Sequence, residues 1–330
     1  MNRKTVVIVG AGPCGIAAAI ELKRRGMDAV LIEKRNIVDA IYQYPIHQVF
    51  FSTSERLEVG NLPFTSINRK PTRQEALVYY KRVVDQENLR IHSYETVDSI
   101  EKTQEGFLVS SHTMNGVKKQ YEPAYVIIAT GYYGQPNKLE IEGGNLPHVS
   151  HYFKEAHPYY RREVAVIGGK NSAVDAALAL EKAGAFVTVL YRGSSFSEHV
   201  KPWILPDFNA LVRQDKIRLL SEAVVTSISE NSLEYTQDGQ KQSLPADFVF
   251  AMTGYHPDHS FLEQAGVLKG EEGRPYFDQD TMETNVPGLY IAGVIAAGDN
   301  ANEIFIENGR WHGEQIASHI KEKESWPSSL

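Results

Sequence analysis

Cysteine is nearly absent: the 330 residues contain one, Cys14. That excludes an intramolecular disulfide framework and any internal dithiol couple, and a cytoplasmic setting is expected. Long basic runs are also missing, and the formal net charge is −7, which argues against nucleic acid as a partner. The longest apolar run, VVIVGAGPCGIAAAI, is broken by glycines and a proline and is too short to span a bilayer. The opening MNRKTVVIVG lacks a cleavable-signal pattern, because its apolar run leads straight into glycine. Nowhere do His, Cys, Asp and Glu take metal-ligand spacing, so no metal is expected. What remains, with 42% hydrophobic and 23% charged residues, is an ordinary globular composition whose length predicts two domains.

Lys4 to Gly10 reads KTVVIVG, a β-branched run that predicts a buried parallel strand. Gly15 to Arg25 follows with helical spacing and ends at Gly26, and Ala29 to Glu33 supplies a second strand. The turn Gly10-Ala11-Gly12-Pro13-Cys14-Gly15 thus lies between strand and helix, the context a dinucleotide fingerprint requires. The same design returns at Val164, where VAVIGGKNSAVDAALALEKAGAFVTVLYR reads strand, glycine turn, helix, Gly184 and strand. From Gly10 to Gly168 the interval is 158 residues, so a whole domain is repeated. Each copy later acquires a matching strand, VIIATGY (126–132) and FVFAMTGY (248–255). Ahead of each, short alternating strands predict β-meanders, over Leu89–Gln120 and Ile217–Gln242, with hairpin turns at Asn115-Gly116 and Asp238-Gly239. A final apolar run, GLYIAGVIAAG, precedes a helix expected from about Ile304.

In the first copy, Gly10 permits the tight turn, Gly12 lets backbone approach a pyrophosphate, and Gly15 allows close helix–strand packing. Glu33, 18 residues beyond Gly15, ends the second strand, where a carboxylate accepts from the hydroxyls of an adenosine ribose. In the second copy, with Gly168 and Gly169 in its turn, the residue after the equivalent strand is Arg192. An arginine there clamps a 2′-phosphate that a carboxylate would repel, so the second nucleotide is expected to be NADPH. Lys170 and Lys201 add charge nearby, although a solvated lysine is the plainer reading of each. Two nucleotide folds in one chain point to one fixed redox cofactor, commonly a flavin, and one exchanging nicotinamide.

GAGPCG, ATGY, GGKNSA and TNVPGLYIAG occur in an order that resembles the two-dinucleotide-domain flavoprotein reductases, whose best-known members are the low-molecular-weight thioredoxin reductases. The resemblance covers nearly the whole chain. It implies an α/β fold of two Rossmann-like domains, one inserted in the other. Residues 1–131 and 256–330 would bind FAD, and residues 132–255 NADPH. It further implies cofactor contacts at Pro13 in the first turn, Thr130 and Gly131 in ATGY, Asn171 and Ser172 in GGKNSA, and Gly293 in YIAG. Two departures narrow the subfamily. The segment VSHYFKEAHPYYRREVAVIGG lacks the Cys-x-x-Cys of thioredoxin reductases, and Val294 stands where the family carries a flavin-contacting aspartate. Asp299, five residues on, is the candidate replacement.

Cys14 within the turn, together with IFIENGRWHG (304–313), closely resembles the bacillithiol-disulfide reductases, also called bacilliredoxin reductases. That family implies NADPH-dependent reduction of a small disulfide through FAD, a chemical role for Cys14, a bacilliredoxin system as partner, and a homo-oligomer. The bland reading of Cys14 is a small residue filling a slot. His47, His151 and His157 are weaker candidates for protonating a leaving thiolate. Glu307, Asn308, Arg310 and His312 fall near the expected flavin. Arg310 could attract the carboxylates of an acidic thiol, whereas Glu303 and Glu307, at i and i+4, read equally as a solvated helix face. Three rival functions stay open: a flavin-dependent monooxygenase, a ferredoxin–NADP reductase, and a non-catalytic NADPH sensor.

Overall fold

The β-branched run near the N-terminus forms β1 (Thr5–Val9), buried from Val6 onward. It opens a βαβ unit in the computed structural model, which describes residues 5–196, 200–300 and 303–325. Helix α1 (Pro13–Arg24) begins two residues before the expected start at Gly15. Pro13 takes the first helical position, where its fixed φ fits and its missing N–H costs nothing, and Gly12 becomes the N-cap. Cys14 therefore belongs to the first helical turn, not to the loop. Strand β2 (Asp28–Glu33) completes the unit.

After two short helices, α2 (Asp39–Tyr42) and α3 (Ser54–Leu57), comes α4 (Arg73–Gln86). A reciprocal cap starts it: Thr72 Oγ1 accepts from the Glu75 N–H at 3.2 Å, and the Glu75 carboxylate from the Thr72 N–H at 2.8 Å. Strands β3 (Ile91–Ser93), β4 (Glu95–Lys102), β5 (Phe107–Thr113), β6 (Lys118–Tyr121) and β7 (Tyr125–Ile128) follow.

The second unit holds β8 (Val149–Ser150), β9 (Glu163–Ile167), α5 (Asn171–Lys182), β10 (Phe186–Tyr191), α6 (Leu205–Arg213) and β11 (Ile217–Ser221). It continues through β12 (Val224–Ile228), β13 (Ser232–Gln237), β14 (Gln240–Pro245) and β15 (Phe248–Ala251). The chain then returns to the first unit with α7 (His259–Gln264), β16 (Leu289–Ile291), α8 (Ile306–Gly309) and α9 (His312–Ser325). The single helix expected from Ile304 is thus two helices, broken at Arg310 and Trp311.

The first unit carries a parallel sheet of order β16-β7-β1-β2-β3 and the second one of order β11-β10-β9-β15-β8. Each also carries a three-stranded antiparallel sheet, β4-β5-β6 and β12-β13-β14. The first strand of each expected meander, β3 or β11, instead joins its parallel sheet as an edge. Asp238 and Gly239 both have positive φ, 52° and 75°, as a two-residue hairpin between twisted strands demands. Unit one comprises residues 1–42, 48–135 and 255–330, and unit two residues 43–47 and 136–254. The five-residue excursion has no sequence signal. It groups with the second unit, where the Ile46 N–H donates to the Lys154 carbonyl at 3.0 Å and His47 meets Phe153 edge-on at 6.2 Å.

Within the first unit α1 packs on α9 so closely that a Cβ on Gly313 would fall 2.6 Å from Ala18 Cα. Among the described residues, no helix is long and apolar enough to cross a membrane, and no group of His, Cys, Asp and Glu could hold a metal ion.

Candidate functional site

The turn between β1 and α1 shows a division of labour among its glycines. Gly10 has φ +106°, and a Cβ there would lie 2.5 Å from the Ala129 carbonyl oxygen beyond β7. A Cβ on Gly15 would fall 2.2 Å from the Gly10 carbonyl oxygen. A Cβ on Gly12, by contrast, would meet nothing within 4 Å. Gly12 offers no side-chain cap and the first turn of α1 has no acidic residue. The positive end of a 12-residue helix is therefore left without an anionic partner from its own first turn. Glu33, at the end of β2, is buried and accepts from two backbone N–H groups, Ala11 at 2.8 Å and Arg35 at 3.0 Å. Burial raises its pKa, while those two donors pull the other way. Thr130, exposed, and Gly131 follow the end of β7 in the same unit.

Cys14 sits between two glycines distant in sequence. A Cβ on Gly293 would lie 3.0 Å from both Cβ and Sγ of Cys14, and one on Gly309 would lie 3.1 Å from Sγ. Cys14 is partly exposed as a residue, yet burial of its thiol, reinforced by the Glu307 carboxylate, pushes the pKa up to about 12. A helix N-terminus on its own favours the thiolate, so here desolvation and the Glu307 carboxylate together outweigh the helix dipole. Gly293 donates its N–H to His312 Nδ1 at 3.1 Å. Burial lowers His312 to about 4, so the ring is neutral at pH 7 and carries its proton on Nε2. Glu307 is hydrogen-bonded by the Ser52 hydroxyl.

This geometry yields a first test. Glu307→Gln removes the smaller of the two causes, so the Cys14 thiol should titrate lower, yet still above an ordinary cysteine. Alkylation below the midpoint should accelerate roughly ten-fold for each unit the midpoint falls, read from iodoacetamide rate against pH.

The rest of IFIENGRWHG is tied to neighbouring segments by hydrogen bonds. Arg310 donates to the carbonyl oxygens of Glu55, at 3.0 Å, and Glu58, at 2.5 Å, and its guanidinium lies 4.6 Å from the Trp311 ring centroid. Backbone carbonyls thus hold the group expected to attract an acidic thiol. The anticipated Glu303–Glu307 helix face does not form either. Glu303 precedes α8 and pairs with Arg274 at 2.5 Å. Asn308 ties the motif to itself, accepting from the Phe305 N–H at 2.7 Å and donating to the Glu303 carbonyl at 2.9 Å. Asp299 pairs with His259 Nε2 at 2.7 Å, so a flavin contact through its carboxylate would be shared with that histidine. Gly309 and Ser52 escaped the sequence reading, because nothing local marks residues that meet Cys14 and Glu307 only in the fold.

The second turn repeats the first with one difference. Gly168 has φ +148°, and a Cβ there would lie 2.4 Å from the Met252 carbonyl oxygen, beyond β15. A Cβ on Gly169 would strike the Tyr191 ring at 2.2 Å. The N-cap of α5, the place Gly12 takes on α1, is Lys170. Asn171 opens the helix and its Oδ1 accepts from the Lys201 N–H at 2.8 Å, with exposed Ser172 beside it. Arg192 follows β10 and is exposed. His47, His151 and His157 all belong to this second unit, whereas Cys14 belongs to the first. Burial lowers the pKa of both His47 and His151.

Residues 7–293 match the family profile described as pyridine nucleotide-disulphide oxidoreductase. The chain is 54% identical over 328 residues, 98% of its length and 100% of the relative's, to the bacilliredoxin reductase Bdr of Bacillus subtilis. Its fold superposes on bacillithiol disulfide reductase Bdr (YpdA) from Bacillus cereus with a TM-score of 0.95 and 54% identity, covering 97% of this chain and 99% of that one. Bacillithiol disulfide reductase Bdr (YpdA) from Staphylococcus aureus gives a TM-score of 0.93 and 50% identity, covering 98% of this chain and 100% of that one.

Proposed function

The chain belongs to the pyridine nucleotide-disulphide oxidoreductase family, and we propose that it uses NADPH and FAD to reduce bacillithiol disulfide, with Cys14 as the reacting thiol. The observation that carries this reading is a lone thiol two residues beyond the Gly12 N-cap, held between Gly293 and Gly309. The first unit fits FAD. Gly12 leaves open space at a helix N-terminus for a diphosphate, and Glu33 has two of its roughly four acceptor positions taken, leaving two for ribose hydroxyls. The second unit suits NADPH, with Gly168 shaping the turn and an exposed arginine, Arg192, directly after β10 to meet a 2′-phosphate. Bound FAD supplies the route by which the electron pair of the nicotinamide reaches sulfur.

The chain's own part follows from Cys14. At neutral pH the thiol is the resting form, so its proton leaves as sulfur attacks the disulfide. The Cys14–sulfur bond forms, the S–S bond breaks, and one bacillithiol departs as thiolate. Two electrons originating in NADPH then split the mixed disulfide, and protons from solvent complete NADPH + H⁺ + RSSR → NADP⁺ + 2 RSH. His312 cannot take the Cys14 proton on Nδ1, which already accepts from Gly293; its Nε2–H is a hydrogen-bond donor. The bacillithiol produced serves a bacilliredoxin system, in a cytoplasmic homo-oligomer.

Anaerobic NADPH should bleach the bound flavin, and bacillithiol disulfide should restore its colour. Glutathione disulfide and ferredoxin should do so poorly or not at all. Reoxidation by ferredoxin alone would overturn the reading in favour of a ferredoxin–NADP reductase.

A further inference from the structure

We infer that Glu307 takes the Cys14 proton as sulfur attacks the disulfide and returns it to the departing thiolate. This rests on Cys14 being the reacting thiol and deepens that reading by naming where the proton goes. The warrant is α8, whose single turn brings two things to the thiol. Gly309 closes the slot, since a Cβ there would lie 3.1 Å from Sγ. Glu307, two residues earlier in the same turn, carries the carboxylate whose charge reaches the thiol. That carboxylate accepts from the Ser52 hydroxyl. The chain just before Ser52 is itself fixed, with Val49 bridged to Thr72 and the Phe50 N–H donating to the Pro71 carbonyl at 2.9 Å. Other charged or titratable groups of the motif are committed elsewhere. Arg310 donates to the carbonyls of Glu55 and Glu58, and Glu303 pairs with Arg274. His312 offers its one accepting nitrogen to the Gly293 N–H.

Charge accounting gives the carboxylate its role. A thiol that lost its proton to solvent here would set a second negative charge beside Glu307, in buried surroundings that already disfavour one. Transfer to Glu307 moves a charge instead of adding one. The carboxylate becomes a carboxylic acid, and the thiolate sulfur bonds to one sulfur of the disulfide. As the S–S bond breaks, the electron pair goes to the departing sulfur, and the Glu307 O–H makes it a thiol. The step is Cys14–SH + RSSR → Cys14–S–SR + RSH, with Glu307 a carboxylate before and after. No net proton and no outside electron enters until NADPH and solvent reduce the mixed disulfide.

Intact-mass measurement of the oxidised, FAD-loaded protein, quenched at intervals after mixing with bacillithiol disulfide, reads this first step without NADPH. Glu307→Gln should slow formation of the Cys14 mixed disulfide by roughly 10²-fold. The same variant should be alkylated by iodoacetamide faster than wild type, because iodide leaves without a proton and alkylation reads thiol acidity alone. Opposite signs in one protein mark a proton carrier, whereas removing a carboxylate that only repels would speed both reactions. Ser52→Ala keeps the charge but frees the carboxylate, so it should slow the mixed disulfide several-fold with no gain in alkylation. Mixed-disulfide formation in Glu307→Gln at the wild-type rate or faster would overturn the inference. If the glutamine variant does not fold, a wild-type rate in Ser52→Ala would do the same. Wild-type protein that forms no mixed disulfide would remove Cys14 from the reaction itself, a result separate from any behaviour of the variants.

Discussion

Cys14→Ala is expected to keep its flavin and its bleaching by NADPH while losing bacillithiol-disulfide reduction by on the order of 10³-fold or more. The separation of effects follows from where the side chain lies. Its sulfur faces Gly293 and Gly309, whereas the groups suited to FAD are the Gly12 backbone and the Glu33 carboxylate. Alanine keeps the Cβ and removes one atom from a slot bounded by two glycines. The stability cost should be about 1 kcal/mol, too small to unfold the domain. If Cys14 merely fills space, alanine should turn over almost as well, since small residues fill the slot equally. The decisive measurement is the ratio of flavin reoxidation by disulfide to flavin reduction by NADPH, taken on the same preparation. A Cys14→Ser control keeps the volume and swaps the thiol for a far poorer nucleophile, so it should behave as the alanine does. Equal turnover in all three proteins would leave the disulfide reaction without its thiol.

Much of this was legible in the chain, and the reason is range. Strand, glycine turn, helix and Gly26 are consecutive, so period and punctuation identify them, and the same grammar found the second copy at Val164. Asp238-Gly239 was legible because a two-residue hairpin needs positive φ in both positions. What escaped depends on residues that meet only in the folded state. Cys14 and Gly293 are neighbours because α1 and β16 serve one parallel sheet, although 279 positions separate them. Gly309 reads as a loop glycine until its contact with Sγ is known. Arg310 looks like a free cation in sequence, and only the fold supplies the carbonyl oxygens of Glu55 and Glu58 that hold it. Excursion 43–47 has ordinary composition, and contacts such as Ile46 N–H to the Lys154 carbonyl and His47 against Phe153 exist only in the fold. Charge behaved the same way. Helix position alone argues for a lowered Cys14 pKa, but burial depends on what α8 brings against it, and burial decides the sign.

Gly12→Asp should abolish flavin binding while leaving the flavin-free fold as stable as before, or more so. Most substitutions in glycine turns cannot separate these outcomes. A Cβ on Gly15 would fall 2.2 Å from a backbone oxygen, so Gly15→Ala damages the fold before any ligand is considered. Gly12 is different: its Cβ would enter open space, and its φ of −75° suits any residue. Aspartate is moreover among the best N-caps, accepting from the N–H groups of the first turn and placing negative charge at the positive helix end. It should therefore add up to about 1 kcal/mol to the flavin-free protein. The same carboxylate uses the donors a diphosphate requires and repels its charge, which should weaken FAD by 10²-fold or more at roughly 1.4 kcal/mol per decade. Flavin-to-protein ratio and thermal midpoint, measured together on protein stripped and then supplied with FAD, read both effects. A colourless variant with an unchanged or raised flavin-free midpoint assigns Gly12 to the ligand. A variant that remains yellow means that the diphosphate does not lie over α1, and the FAD assignment of the first unit falls with it.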